Sequence, residues 1–121
     1  MNSVIITGRL TRDPEVKAVN DTHVTTIIVA VEKKSKGVSR VSYLPVVAWG
    51  ALASAIGKYL TKGAQVAVKG ELMQKVYKNT EGKTVSKIEI SADSVEFLSP
   101  MNRKAEDHAE EADGTSDELP F

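Results

Sequence analysis

Along most of the 121-residue chain, apolar side chains come in short β-branched runs broken by turn residues, a pattern that predicts strands. The run "SVIITGRL" (3–10) is the first, and Gly8 inside it marks a bulge or a close backbone approach. A turn follows at "TRDP", where Pro14 has no N–H to give a ladder. "HVTTIIVAVE" (23–32) is the second strand, ending in "KKSKGVSR" (33–40), a loop or hairpin tip at Gly37. "VSYLPVVAWG" (41–50) is the third, and Pro45 predicts an edge position or an irregularity there. The pattern then changes: Leu52, Ala55, Ile56, Tyr59 and Leu60 fall at helical spacing, with Gly63 as the expected C-terminal cap and Gly57 a mild weakness. Beyond it, "AQVAVKGELMQKVYK" (64–78) and "KTVSKIEIS" (83–91) flank "NTEGK", a long hairpin with Gly82 in the unusual backbone region. "DSVEFL" closes the body.

Three strands, a helix, then two strands is the order of an OB-fold, a five-stranded all-β barrel with one helix between strands 3 and 4. From Pro100 on, large apolar residues nearly vanish, so a body over residues 1–100 and a disordered acidic tail over 101–121 are expected. Charge separates the same two parts. Residues 1–104 hold 16 Lys and Arg against 9 Asp and Glu, a net of +7, whereas residues 105–121 hold 7 acids and no Lys or Arg. A basic body suits a polyanion and an acidic segment suits a basic partner, although both also serve solubility.

The chain has no cysteine, and its two histidines, His23 and His108, lie far apart without ligand spacing. No metal or other cofactor is expected. There is no apolar run long enough to span a bilayer and no leader pattern, so a soluble, unprocessed cytoplasmic protein is expected. Neither a phosphate loop nor a nucleophile in a recognisable setting is present, and Glu71 and Glu89 read as ordinary strand residues, which argues against an enzyme.

Six aromatic residues remain to be placed. Period-two alternation puts Val41, Tyr43, Val47 and Trp49 on one face of the third strand, and Leu44, Val46 and Ala48 on the other. Both faces are apolar, so the strand is either buried on both sides or carries a stacking platform. Tyr77 shares parity with Lys69, Glu71, Met73 and Lys75, opposite Val66, Val68, Leu72 and Val76. That places it on a basic, exposed face. Tyr59 and Phe97 read as core. Aromatic rings among lysines suit single-stranded nucleic acid: each base stacked on a ring contributes about 1–3 kcal/mol whatever its identity, and the ammonium groups hold phosphates. The candidate phosphate residues are Lys33, Lys34, Lys36 and Arg40 around the second loop, with Lys69, Lys75, Lys78, Lys83 and Lys87 along the long hairpin. Taken singly, each reads first as a solvated surface charge, and it is as a set with Tyr77 among them that they point to a site.

The segments "VIITGRLTRDPEVK", "VVAWG", "YLTKGAQVAVKGEL" and the final "DELPF", in this order and spacing, resemble the bacterial single-stranded DNA-binding protein family. The resemblance covers nearly the whole chain. It implies an OB-fold, usually a homotetramer, coating single-stranded DNA without sequence preference in replication, recombination and repair, in association with the nucleoid. It also implies base stacking on Tyr43, Trp49 and Tyr77, and a basic contact at Lys62. A further aromatic of many members, falling near Lys34 and Ser35, is missing here. Leu44 replaces a polar residue at the subunit contact of one subset, and the tail is short. By the same resemblance, Asp117, Glu118, Leu119, Pro120 and Phe121 form a tip that binds DNA-processing enzymes. Its physics is a mixed anchor, with Phe121 in a pocket, its carboxylate on a basic group, and the acids steering. Two other readings stand beside this one: an OB-fold adaptor of a replication-restart complex with weak DNA binding, and a carbohydrate- or RNA-binding barrel, for which the basic hairpin disfavours sugar and nothing in the sequence reads a 2′-hydroxyl.

Overall fold

The structure is a computed structural model that describes residues 1–98. The expected disordered tail, the boundary at residue 100 and the tip at Asp117 to Phe121 lie outside the described residues. Six strands and one helix follow in the order β1 (Val4–Leu10), β2 (Val16–Val19), β3 (Thr22–Ser35), β4 (Val38–Trp49), α1 (Gly50–Tyr59), β5 (Gln65–Lys78) and β6 (Thr84–Phe97). Five of the strands close on themselves. β1 pairs with β5 along Val4–Arg9, β5 with β6, β6 with β4, β4 with β3, and β3 returns to β1 at Arg9 and Leu10. This closed barrel, with its helix between the third and fourth barrel strands, is the expected OB-fold.

β2 is additional to the expected set. It pairs only with β3, from Val16 opposite Thr25 to Val19 opposite Thr22, and the turn between them is Asn20 and Asp21, both at positive φ. The barrel interior is filled from every strand of the closed ring and from α1: Leu10, Ile27, Val29, Val46, Ala48, Ala53, Ile56, Leu60, Val66, Val68 and Ile90 are buried together. Tyr59 and Phe97, half-buried, pack at its margin with ring centroids 6.3 Å apart. The one buried polar side chain among the described residues is Thr25, whose hydroxyl donates to the Glu15 carbonyl at 2.7 Å. Its hydrogen bond removes the burial penalty.

Several local expectations are met or revised. Gly8 is a close approach, since a Cβ there would fall on the Ala30 carbonyl oxygen. Pro45 lies opposite Ile28, whose carbonyl accepts from the Thr11 N–H and so points away from β4; the pair needs no N–H from position 45. Gly82 has positive φ, in a loop where the Asn79 Oδ1 accepts from the N–H groups of Glu81 and Lys83. Gly63, in contrast, is not the helix cap. α1 ends at Leu60 in extended backbone, and Gly63 lies three residues further on at φ 88°, donating its N–H to the Leu10 carbonyl.

The largest departure concerns the stretch read as a loop at 33–40. β3 and β4 continue paired through Ser35 and Val38, so the loop shrinks to Lys36 and Gly37, both at positive φ as in a tight two-residue hairpin turn. β5 and β6 also run on beyond the barrel as a two-stranded ribbon. The departure point is Gly70, where the register slips past Asp93. Beyond it, Leu72, Val76 and Ile88 are exposed despite sharing parity with buried Val66 and Val68. The side-chain amide of Asn2 fixes the ribbon's base, donating to the Leu72 carbonyl and accepting from its N–H, both at 2.9 Å.

Candidate nucleic-acid interface

The two hairpins that project from the barrel carry all three aromatic candidates. On β3–β4, residues directly opposite share a face. Tyr43 lies opposite Ala30, Val41 opposite Glu32 and Lys34 opposite Ser39; in the other direction Val47 lies opposite Thr26 and Trp49 opposite Val24. This is the outer face, because Leu44, Val46 and Ala48 turn inward, the last two fully buried. Of the two options left open for the third strand, burial on both sides does not hold at its aromatic positions. Tyr43 is 64% exposed and Trp49 52% exposed, while Val47 between them is buried. Trp49 ends β4 in extended backbone, and the left-handed Gly50 (φ 65°) then turns the chain into α1. The indole is thus held at a strand end backed by the barrel.

Lys34 belongs to this face. Lys33 and Arg40, directly opposite one another, lie on the other face of the same hairpin, and Lys36 is at its tip. The acid on the aromatic face is Glu32, engaged by the Ser39 hydroxyl at 2.6 Å. On the ribbon, Tyr77, 45% exposed, lies opposite Val85; Lys75 lies opposite Lys87 and Met73 opposite Glu89, all on one face. Opposed like charges repel. Glu89 relieves this in part, standing 3.7 Å from the Lys75 ammonium. Lys78 turns to the other ribbon face and Lys83 is in the loop, whereas Lys69 lies back on the barrel between Ile5 of β1 and Ser94 of β6. All ten basic candidates are exposed. Lys34 shares a face with Tyr43 and Trp49; Lys75, Lys87 and, further back on the barrel, Lys69 share that of Tyr77; Lys33, Arg40 and Lys78 lie on the opposite faces, and Lys36, Lys62 and Lys83 in turns.

Lys62 is placed by an acid. The Asp13 carboxylate accepts the Lys62 backbone N–H at 2.7 Å, which ties the β1–β2 loop to the α1–β5 turn, and Arg9 donates to the Gly63 carbonyl in the same turn. Arg12, Asp13, Glu15 and Thr26 line a shallow hollow of about 110 Å³ beside the outer face of β3. Arg12 is therefore a basic neighbour of the aromatic face that sequence reading left in a turn. The pairing of Thr26 with Val47 reveals it, and no spacing along the chain could have.

Among the described residues, no three metal-ligating side chains converge, and no helix is long and apolar enough to cross a membrane. The model of the single-strand binding protein family matches residues 1–98. A single-stranded DNA-binding protein of Clostridium tetani is 34% identical over 109 residues, covering 87% of this chain and 75% of its own length. Single-stranded DNA-binding protein 2 of Staphylococcus aureus is 36% identical over 106 residues, 84% of this chain and 76% of the relative. With a match across the whole described barrel and relatives aligned over most of both chains, this chain belongs to the single-strand binding protein family.

Proposed function

We propose that this protein binds single-stranded DNA without sequence preference, bases stacking on Tyr43, Trp49 and Tyr77 and phosphates held by the lysines beside them. The observation that carries this is the exposure of Tyr43 and Trp49 on a barrel face where a structural aromatic would be covered. Stacking needs an accessible ring backed by a rigid element, and β4 supplies that at both positions. Lys34 shares the face of Tyr43, and Lys75 and Lys87 the face of Tyr77. Lys33, Lys36, Arg40, Lys62, Lys69, Lys78 and Lys83 would hold the strand as it passes between faces. The relatives' names state single-stranded DNA binding for those proteins, in keeping with this reading.

In the same reading the protein coats DNA during replication, recombination and repair as a homotetramer associated with the nucleoid. In support, the β1 edge from Val4 to Gly8 has no strand partner on its β3 side among the described residues, and Ile5 on it is exposed. The acidic tip, Asp117 to Phe121, recruits DNA-processing enzymes. Removing Phe121 is expected to abolish binding to a helicase- or primase-type partner while DNA affinity holds; unchanged partner binding, read by surface capture, would refute the anchor.

The test of the main proposal is a fluorescence titration of the lone tryptophan with poly-dT at low and high salt. Strong quenching that weakens with salt is expected, because each phosphate held by a cation contributes about −0.7 to the slope of log K against log salt for a single strand. Absence of binding by any probe would overturn the proposal.

A further inference from the structure

We propose that Lys17, on the additional strand β2, holds a phosphate next to the base stacked on Trp49, so that the DNA leaves β4 sideways across the sheet. The inference rests on the single-stranded DNA reading above and extends its site to a strand to which the family resemblance assigned no role. Val24 of β3 lies opposite Trp49 on one side and opposite Lys17 on the other. Directly opposed residues of antiparallel strands share a face, so Trp49, Val24 and Lys17 form one row across three strands on the outer surface. Two strand spacings separate the ends of the row by about 10 Å. A lysine stem can cover much of that gap while its ammonium stays in water.

Other features of the row favour a ligand. Lys17 is exposed and has no hydrogen-bond or ion-pair partner among the described residues. Glu15, the nearest acid in sequence, lines the hollow shared with Arg12, Asp13 and Thr26 and forms no ion pair with Lys17. β2 ends at Val16 opposite Thr25, so the next outer row, Val47 with Thr26, has no β2 residue. Lys17 is therefore the β2 cation that shares a row with the indole. The competing role is protective, since β2 is the outer edge of the sheet and a lysine there discourages pairing with another copy.

The experiment separates the two roles. The full chain, with Lys17→Gln, Lys17→Arg and a Lys58→Gln control on α1, is titrated with a dT oligonucleotide by tryptophan fluorescence between about 50 and 200 mM salt, the range over which phosphate contacts are read. For Lys17→Gln, the slope of log K against log salt is expected to fall in magnitude by about 0.7, one single-strand phosphate. The ratio of wild-type to variant affinity then shrinks by about 2.6-fold, four to the power 0.7, across that range. Quenching at saturation stays at the wild-type value, Lys17→Arg restores the slope, and Lys58→Gln leaves it unchanged. An unaltered slope in Lys17→Gln overturns the proposal, and self-association of that variant with an unaltered slope assigns Lys17 to edge protection instead. Wild-type protein that shows no salt-dependent binding would remove the underlying reading and this inference with it. Wild-type slope retained in Lys17→Gln removes the inference alone.

Discussion

Gly8→Ala is expected to lower the melting temperature of the protein by 10 °C or more, on the order of 3 kcal/mol, at the upper end of overpacking costs. The reason is the identity of the atom in the way. A Cβ at position 8 would fall on the Ala30 carbonyl oxygen and close against Val29 Cγ1, where β1 crosses β3 to close the barrel. A side-chain neighbour can rotate aside. A carbonyl built into a strand paired on its other edge with β4 cannot, because moving it breaks the Ala30–Tyr43 and Val29–Leu44 register. The damage would reach the site, since Ala30 is the residue opposite Tyr43. Gly57→Ala is the control. Its Cβ meets the side chain of Val16 and no backbone atom, a neighbour that can yield, and alanine gains about 1 kcal/mol of helix propensity over glycine. That variant should melt within a few degrees of the parent. Thermal unfolding followed by circular dichroism at one protein concentration decides it, and a Gly8→Ala protein melting with the parent would show that β1 and β3 are not held as tightly as described.

The same closure explains what could be read in the sequence and what could not. Period-two alternation correctly placed Tyr43 and Trp49 together, opposite Leu44, Val46 and Ala48, because a strand's two faces follow from its pleat alone. Which face the barrel buries does not follow, as both are apolar, and only closure of the ring settles it. Parity alone does not separate Leu72 and Val76 from the core, for they continue the inward face of Val66 and Val68 but stand where β5 has already left the barrel. Alternation carries no mark of where a strand leaves its neighbours. The mark is Gly70, where a Cβ would fall on the Ser91 carbonyl oxygen beside the register slip. Lys33 and Lys34 were grouped as one loop, yet their strand runs through them and one residue of register sends them to opposite faces. β2 escaped notice because it is four residues long, exposed throughout, and turned by Asn20 and Asp21 without a glycine. Lys17 could not be linked to Trp49 before β2 and its register were known.

Tyr43→Ala and Trp49→Ala are each expected to weaken poly-dT binding by about 30-fold, taking about 2 kcal/mol per lost stack and 1.4 kcal/mol per tenfold. Losses of this size exceed those for any single lysine, because a ring loses its contact whole whereas neighbouring cations share the phosphates. The two sites lie six residues apart on β4, about 20 Å at strand rise. That is beyond the range over which substitutions usually couple, so the double variant should lose about 1,000-fold, the product of the singles. Tyr43→Phe keeps the ring and should bind almost as the parent does, which separates stacking from any role of the phenol hydroxyl. None of these changes should disturb the fold much, since Tyr43 and Trp49 are more than half exposed and outside the buried cluster. Equal affinity of parent and double variant, with folding intact by circular dichroism, would remove the aromatic face from the DNA path. A strongly synergistic loss would instead mean that one base engages both rings at once, a geometry that positions some 20 Å apart along β4 do not allow.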